Sequence, residues 1–424
     1  SGFGLQRASD KQYLRFYDIS KENVLSNQVY AERFSGRDYS RVSAMNFQDV
    51  RLGIRPDQPD ILPMMEHSMI GDPSSLWGGR WQSDFSSLGL RRSNNNQNVQ
   101  RGSVDVGWQR RGLSSGGLVT TLDLNAREDL YAVENSDASK LDPTLDAKTT
   151  TGRGIATAGV ITSYPLVKRL VDSQVVIEPV VGVNLSTNAN NSANTIPNED
   201  SIDTQFDTST LFQQNRFSGI DRQEDGARAN YGLKSGIYGD NGRYGKVFVG
   251  QSYRFWGDKI FPTGSGLEDR RSDMVGQVSA GLSKYLDADY RFQLDTASLA
   301  ARRHEVQAGG GNDTFRLNTR YLYTAAVAGT GFDVSREQWQ MDGSYNVTKS
   351  WKLSSSALMD LGDQPGLRNI STGIDYIDEC FTFAIQGSRS VANEASGSNE
   401  TKLLLRIGLK NIGEFSGPQI PLGG

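Results

Sequence analysis

RANYGLKSGI, residues 228–237, decides the fold. Ala229, Tyr231, Leu233, Ser235 and Ile237 fall on one side of an extended chain, and Arg228, Asn230, Gly232, Lys234 and Gly236 on the other. A period of two is the mark of a β-strand with two unlike faces. Just upstream the chain is a different material. Asn215–Gly232 reads NRFSGIDRQEDGARANYG, with Arg216, Arg222 and Arg228 set among acids and with Gly219, Gly226 and Gly232 between them. It is a charged, glycine-bent loop feeding a strand. Planar guanidinium forks can hold Asp221 and Asp225 by paired hydrogen bonds. A solvated loop with interchangeable charges is the plainer account of the same composition.

Downstream the alternation repeats. Val247, Val249, Tyr253 and Phe255 oppose Gly250, Ser252 and Arg254, and the GDNG turn before them (Gly239–Gly242) is hairpin chemistry. Tyr290, Phe292 and Leu294 oppose Arg291 and Gln293. Phe315 to Tyr323, Trp351 to Met359, Phe381 to Ile385 and Leu403 to Leu409 repeat the pattern. Upstream, strands are expected at Tyr13–Asp18, Val24–Phe34, Ser43–Leu52, Val104–Trp108, Leu118–Ala126, Gly154–Ser163 and Gln174–Leu185. Trp77, Trp81 and Phe85 suit either a membrane interface or a core. Polar loops are expected at Arg91–Arg101 and Ser136–Arg153. Asn184–Thr210 is the longest polar tract, natural for an extracellular barrel loop and awkward in a compact soluble domain. Pro165 and Pro179 predict strand ends, edges or bulges.

Many amphipathic strands in succession, joined by alternately short and long connections, imply one wide closed sheet. A β-sandwich would show shorter strands and more two-sided apolar runs. The expected fold is all-β, a large antiparallel transmembrane β-barrel of roughly 18–20 strands, with long extracellular loops and short periplasmic turns. The chain has 424 residues, only 36% of them apolar, and no apolar run of helical membrane length. A barrel shows lipid only every second residue, so low average hydropathy is compatible with it. With 45 basic and 49 acidic residues, nothing suggests nucleic acid. The chain begins without Met and without a signal peptide, as a mature protein or a piece of one would.

Little points to catalysis. His67, His304 and Cys380 cannot make a zinc site of ordinary spacing. There is no GxSxG elbow, phosphate loop or dinucleotide fingerprint. No cofactor or metal is expected; acids such as those in Asn198–Ser201 could meet divalent cations at the surface but are more simply solvated. The lone cysteine, Cys380, is compatible with an external disulfide partner, a free thiol or a small buried residue.

Several phrases resemble the LptD family, the lipopolysaccharide-assembly or organic solvent tolerance proteins of the Gram-negative outer membrane. NRFSGIDR and EDGARANYG are similar to its signature segment, PNEDS (197–201) and TSTLF (208–212) to its lead-in, and GQSYRF (250–255) to the strand after it. YIDECF (376–381) resembles its cysteine-bearing segment, LLLRIGLKNIG (403–413) its closing strand, and SDKQYLRFYDIS (9–20) a stretch some strands into its barrel. The matches run in family order.

The resemblance implies that residues 1–424 are most of an outer-membrane barrel domain, with the N-terminal periplasmic domain and the first strands absent, and so an open sheet edge. It implies lipopolysaccharide insertion into the outer leaflet through a lateral gate, without catalysis. The implied partners are lipopolysaccharide, the plug lipoprotein LptE, a periplasmic bridge component and outer-membrane lipid. Leu403, Leu405, Arg406, Ile407 and Leu409 would lie on the last strand, at the gate. Cys380 would be bridged to the missing periplasmic domain. Asn215, Arg216, Phe217, Gly219, Asp221, Arg222, Glu224, Gly226, Arg228, Tyr231 and Gly232 are expected to form a structural loop network inside or capping the barrel. A general porin or nutrient transporter is the alternative, and a secreted adhesin a more distant one.

Overall fold

The computed structural model describes residues 1–8, 24–50, 58–73, 75, 77–92, 97–134, 148–193, 195–330, 333–391, 399–409, 413–416 and 420–421. The phrase Ser9–Ser20 and the strand expected at Tyr13–Asp18 lie outside these residues.

The strands are Gly2–Gly4 (β1), Val24–Ser35 (β2), Asp38–Asp49 (β3), Pro59–Ile70 (β4), Arg80–Arg92 (β5), Asn98–Leu113 (β6), Val119–Glu134 (β7) and Lys148–Ser163 (β8). The chain continues with Leu166–Arg169 (β9), Ser173–Ser186 (β10), Gly226–Gly239 (β11), Tyr244–Trp256 (β12), Met274–Ser283 (β13), Leu286–Leu294 (β14), Ala301–Gly311 (β15) and Phe315–Thr324 (β16). It closes with Arg336–Asn346 (β17), Trp351–Asp360 (β18), Gly366–Ile377 (β19), Phe381–Ser390 (β20), Glu400–Leu409 (β21), Gly413–Ser416 (β22) and Ile420–Pro421 (β23). Each long strand pairs antiparallel with the next, from β2 with β3 through to β20 with β21. Nineteen strands among the described residues, β2–β8 and β10–β21, have nine residues or more, within the expected number. Among the described residues no ladder joins β1 or β2 to β21–β23, so the sheet is open there.

The sheet is apolar outside and polar inside. On β7, Leu122, Leu124 and Leu130 are exposed, while Asp129 and Tyr131 are buried on the other face. On β11, Tyr231 is 41% exposed and its neighbour Asn230 0%. A soluble sheet buries its apolar face; one standing in lipid reverses the rule. The two ends also differ. One carries the tight turns 36–37, 284–285, 312–314, 347–350 and 378–380, with longer connections only at 71–79 and 164–172. The other carries 187–225, 257–273 and 325–335. Aromatic rings gather on the outer face near the tight turns: Trp77 against Trp108, and Trp351 against Tyr376, which also meets Phe381. Amphipathic rings favour a membrane–water interface.

Four expectations change. Strand β4 was hidden by Pro59 and Pro63, and its ladders with β3 and β5 shift register around Pro63. Most of Arg91–Arg101 is strand: β5 runs to Arg92 and β6 starts at Asn98, so Arg101 belongs to the wall. Lys148–Arg153 is likewise strand, paired with β7. Finally, β21 is not the last strand, because β22 and β23 fold back and pair with part of its outer edge. Short strands of this kind satisfy N–H and C=O groups that a bare edge would leave open. Pro179 sits where β10 passes from pairing with β8 to pairing with β9, a break in the ladder that needs no N–H donor.

The inverted pattern has a measurable consequence. Leu233→Arg, midway along β11 and between Pro179 and Val249 in the outer apolar band, is expected to cost about 2–4 kcal/mol of stability. Refolding from urea into lipid vesicles measures it, with the lumen-facing Gln338→Arg as a control that loses far less. Equal losses at both positions would contradict the assignment of faces.

Candidate functional site: a polar lumen filled by inner loops

The described residues of 187–225 contain no strand, yet they are packed. Ala189, Ile196, Phe206 and Leu211 are buried, and so are Arg216, Asp221, Glu224 and Asp225. The segment leaves the long-loop end and folds against the polar inner face of the sheet. The tract Asn184–Thr210, expected as an external loop, is therefore largely an inner one. Its apolar residues form two small cores. Ile196 enters a cluster of Leu90, Val99, Tyr131 and Val133 on the wall. Phe206, Leu211 and Phe217 pack with Phe261 and Leu267 of the second inner loop, 257–273, and with Val275 of β13.

Ionic contacts fix the loop to the wall at two points. At the first, Arg101 Nη1 of β6 donates to Asp221 Oδ1 at 2.6 Å and to Asp200 Oδ2 at 2.7 Å. The Tyr131 hydroxyl donates to Asp221 at 2.9 Å, and the Glu199 amide donates to its other oxygen at 2.7 Å. Arg153 of β8 donates to the carbonyls of Asp221 and Ile220 at 3.0 and 2.8 Å and to Asp129 at 2.6 Å. Arg92 forks onto Glu199 at 2.6 and 3.1 Å. At the second point, Glu224 accepts from Arg216 Nε at 2.8 Å and pairs with Arg228 of β11 at 2.8 Å. The Arg216 guanidinium also lies over the rings of Phe206 and Phe261, and Phe217 stacks on Phe261 at 4.5 Å. A strip of buried amides and hydroxyls, Asn184–Asn230–Ser252, continues along the wall.

Backbone geometry explains two of the glycines. Gly226 has φ +79°, and a Cβ there would meet the Trp256 carbonyl at 2.1 Å. A Cβ on Gly219 would meet the Asp200 carboxylate at 2.2 Å. That carboxylate caps the amides of Ile220 and Asp221, both at 3.0 Å. Only glycine fits either place.

Charges respond to this setting. Burial works against an ionised Glu224, but Arg216 and Arg228 outweigh it and hold its pKa below the ordinary 4.5. Asp200 is also lowered: burial opposes, while Arg101 and the Asp221 amide prevail. Asp221 moves the other way, raised by burial and by Asp200 in spite of Arg101. The two aspartates share one guanidinium, and Asp221 is the one that takes a proton more readily.

The structure brings Asn215, Arg216, Gly219, Asp221, Arg222, Glu224, Gly226 and Arg228 into one folded region. The pairing differs from the expected one. Asp221 is held by Arg101 from the wall, and Asp225 accepts the amides of Ala189 and Asp258 at 3.3 and 2.8 Å. Among the described residues Arg222 holds no carboxylate; it donates to the carbonyls of Ile196 and Asp221 at 2.9 and 3.1 Å. Phe217 belongs to the apolar cluster, not to the ionic network. Tyr231 points outward, away from the network, and Gly232 lies in the wall opposite Gly250. Asp200 is spoken for by Arg101 and is not a solvated acid. Cys380 is exposed in the tight turn 378–380, which removes the buried alternative. Arg101, Asp129, Tyr131 and Arg153 were missed. For Asp129 and Tyr131 the signal is parity: they continue the polar face that Asn125 and Arg127 set on β7.

A profile of the LptD family, described as LPS transport system D, matches residues 1–351. The LPS-assembly protein LptD of Nitrosospira multiformis is 32% identical over 226 residues, 51% of this chain and 23% of that protein. The LPS-assembly protein LptD of Pseudomonas putida is 30% identical over 162 residues, 35% of this chain and 17% of that protein. The chain thus spans less than a quarter of either relative in these matches. A ferric enterobactin receptor of Pseudomonas aeruginosa overlaps 92% of the chain at a TM-score of 0.41 and 9% identity, a likeness too loose to bear on function.

Two tests follow from the network. Arg216→Ala leaves Glu224 with one cation in a buried site and should cost about 3–5 kcal/mol, whereas Arg222→Ala, losing only carbonyl contacts, should cost less; both are read by protease cutting within 187–225 in detergent. Acid should release the same loop. Glu224 and Asp200 have folded pKa values below their unfolded ones, so the stability they contribute is complete above 4.5 and 3.8 and fades as pH falls through the lower folded values. Asp221 has the opposite sign and softens the loss. Cutting should be absent at neutral pH and appear only below that range; release on raising the pH through neutrality would contradict the assignment.

Proposed function

Because the chain belongs to the LptD family, we propose that it forms barrel wall for lipopolysaccharide assembly at the outer membrane, a transport role without catalysis. The glycan part of the lipid would pass through the polar lumen while the acyl part stays with the membrane. The observation that carries this is the inverted sheet: an apolar outer face for lipid around a lumen lined with hydrogen-bonding groups and partly filled by its own loops. A plain porin needs the first property but gains nothing from a lumen filled by packed apolar clusters.

The tight-turn end is then periplasmic and the long-loop end extracellular. Cys380, exposed in a tight turn, would face the compartment where disulfides form, in reach of a periplasmic domain. The plug lipoprotein LptE would enter the lumen from that side, and a periplasmic bridge component would deliver the lipid. The seam would lie between β21, with β22 and β23 on its edge, and the strands at the other end of the sheet. Leu403, Leu405, Ile407 and Leu409 alternate there with Arg406, which the ladder with β20 places opposite Ala384.

The test is photocrosslinking in living cells with the full-length protein. A reactive residue at lumen-facing Arg406 should give lipopolysaccharide adducts that depend on periplasmic delivery, and one at outward Leu405 should report membrane lipid. Free permeation of small solutes with no lipopolysaccharide adduct at either position would favour the porin reading.

A further inference from the structure

Towards the tight-turn end, below the inner loops, the lumen holds a cavity of about 450 Å³ that neither ionic network uses. Thr208 and Phe212 of the inner loop lie on one side of it. Lys234, Tyr238, Lys246 and Gln277 line the wall. The register places these side chains on one inward face: Lys234 opposite Phe248, Gly236 opposite Lys246, Tyr238 opposite Tyr244, and Lys246 opposite Ser279.

Two of the rings lie flat. A Cβ on Gly236 would meet the Tyr238 ring at 2.9 Å, and one on Gly281 would meet the Tyr244 ring at 2.5 Å. Each tyrosine therefore rests on a glycine of the wall; Tyr238 borders the cavity, while the Tyr244 ring carries Lys246. Lys246 Nζ stands 4.4 Å from the centre of the Tyr244 ring and 5.9 Å from that of Tyr238. Among the described residues it has no carboxylate partner. Lys234 is held only loosely, 3.9 Å from Glu178. Flat aromatic faces pack against the C–H faces of sugar rings, and ammonium groups are compact donors for phosphate. Phe212, Phe248 and Val176 give the cavity apolar patches, and the lysines, Gln277 and Ser279 give it donors that a sugar phosphate can use and an acyl chain would leave unpaired.

We propose that Tyr238, Lys234 and Lys246, the last carried on the Tyr244 ring, form a binding track for the phosphorylated glycan of the transported lipid, entered from the tight-turn end. It rests on the function proposed above and names the substrate part that this face of the lumen reads. Stacking gives contact without strict sequence selection, and the lysines favour the anionic inner sugars.

The experiment places a photoreactive residue at Ser279 in the full-length protein, in cells with the delivery machinery intact. Lipopolysaccharide adducts are expected at Ser279. They should fall about tenfold when Tyr238→Ala and Lys246→Glu are combined, a loss in the range of a few weak contacts, and recover only in part with Lys246→Arg in place of the glutamate, since the stacking ring is still missing. Adducts at Arg406 with none at Ser279 would overturn the track and leave the conduit standing; none at either would remove the conduit itself. A second measurement does not depend on the variants folding. Purified wild-type protein is titrated with core oligosaccharide, phosphorylated or enzymatically dephosphorylated, and tyrosine fluorescence is followed. Tighter binding of the phosphorylated form supports the lysine role, and equal or absent binding of both overturns it.

Discussion

The inside of this barrel wall depends on buried carboxylates that cannot be left alone. Taking an ionised carboxylate out of water costs several kcal/mol unless a cation and further donors meet it. Asp221 and Glu224 are nearly inaccessible, and each is met by an arginine of the wall as well as by groups of the loop. The partners stand on different strands, Arg101 on β6 and Arg228 on β11, and between them Arg153 of β8 holds the loop carbonyls of Ile220 and Asp221. Satisfying the carboxylates therefore fixes the loop against several strands at once. The apolar clusters around Ile196 and Phe206 fill the space between, but without the ion pairs nothing would set their position along the wall.

The same need explains why the polar face can be so rich in charge. A lumen with only small apolar clusters needs more than those clusters to hold a long segment in place. Charge-assisted hydrogen bonds have geometry, while apolar contacts have little. The outer face needs no such precision, since lipid accepts any smooth apolar band. One face of each strand is thus chosen for partner and distance, the other for hydropathy alone.

This difference decides how much could be read in the sequence. The alternation of Tyr231, Leu233 and Ile237 with Asn230, Gly232 and Lys234 fixes a two-faced strand and, repeated, an outer-membrane sheet. Strand ends were legible where turn residues mark them, as at Gly239–Gly242. Legibility failed where polar strands run on without an apolar partner face, as in Asn98–Arg101 and Lys148–Arg153, which look like loops because lipid is not yet against them. It failed again at Pro59–Ile70, where prolines conceal a strand. The loop network was legible as a place, because mixed charges and glycines rarely gather without cause. Its pairing was not, because Arg101 is 120 residues from Asp221, and no local spacing connects them.

That separation has a temporal side. The wall is a meander, each strand joined to the one before it, so it can grow hairpin by hairpin with only short segments waiting unpaired. The segment 187–225 breaks this order. Its anchors on β6–β8 are synthesised before it, and those on β11–β13 after it. It can therefore settle only when both stretches of wall stand side by side. Until then its carboxylates remain in water, and its own closing adds nothing to premature or misaligned sheets. The docked loop is thus a record that the wall was built in register, and a barrel that has it has already passed its own inspection.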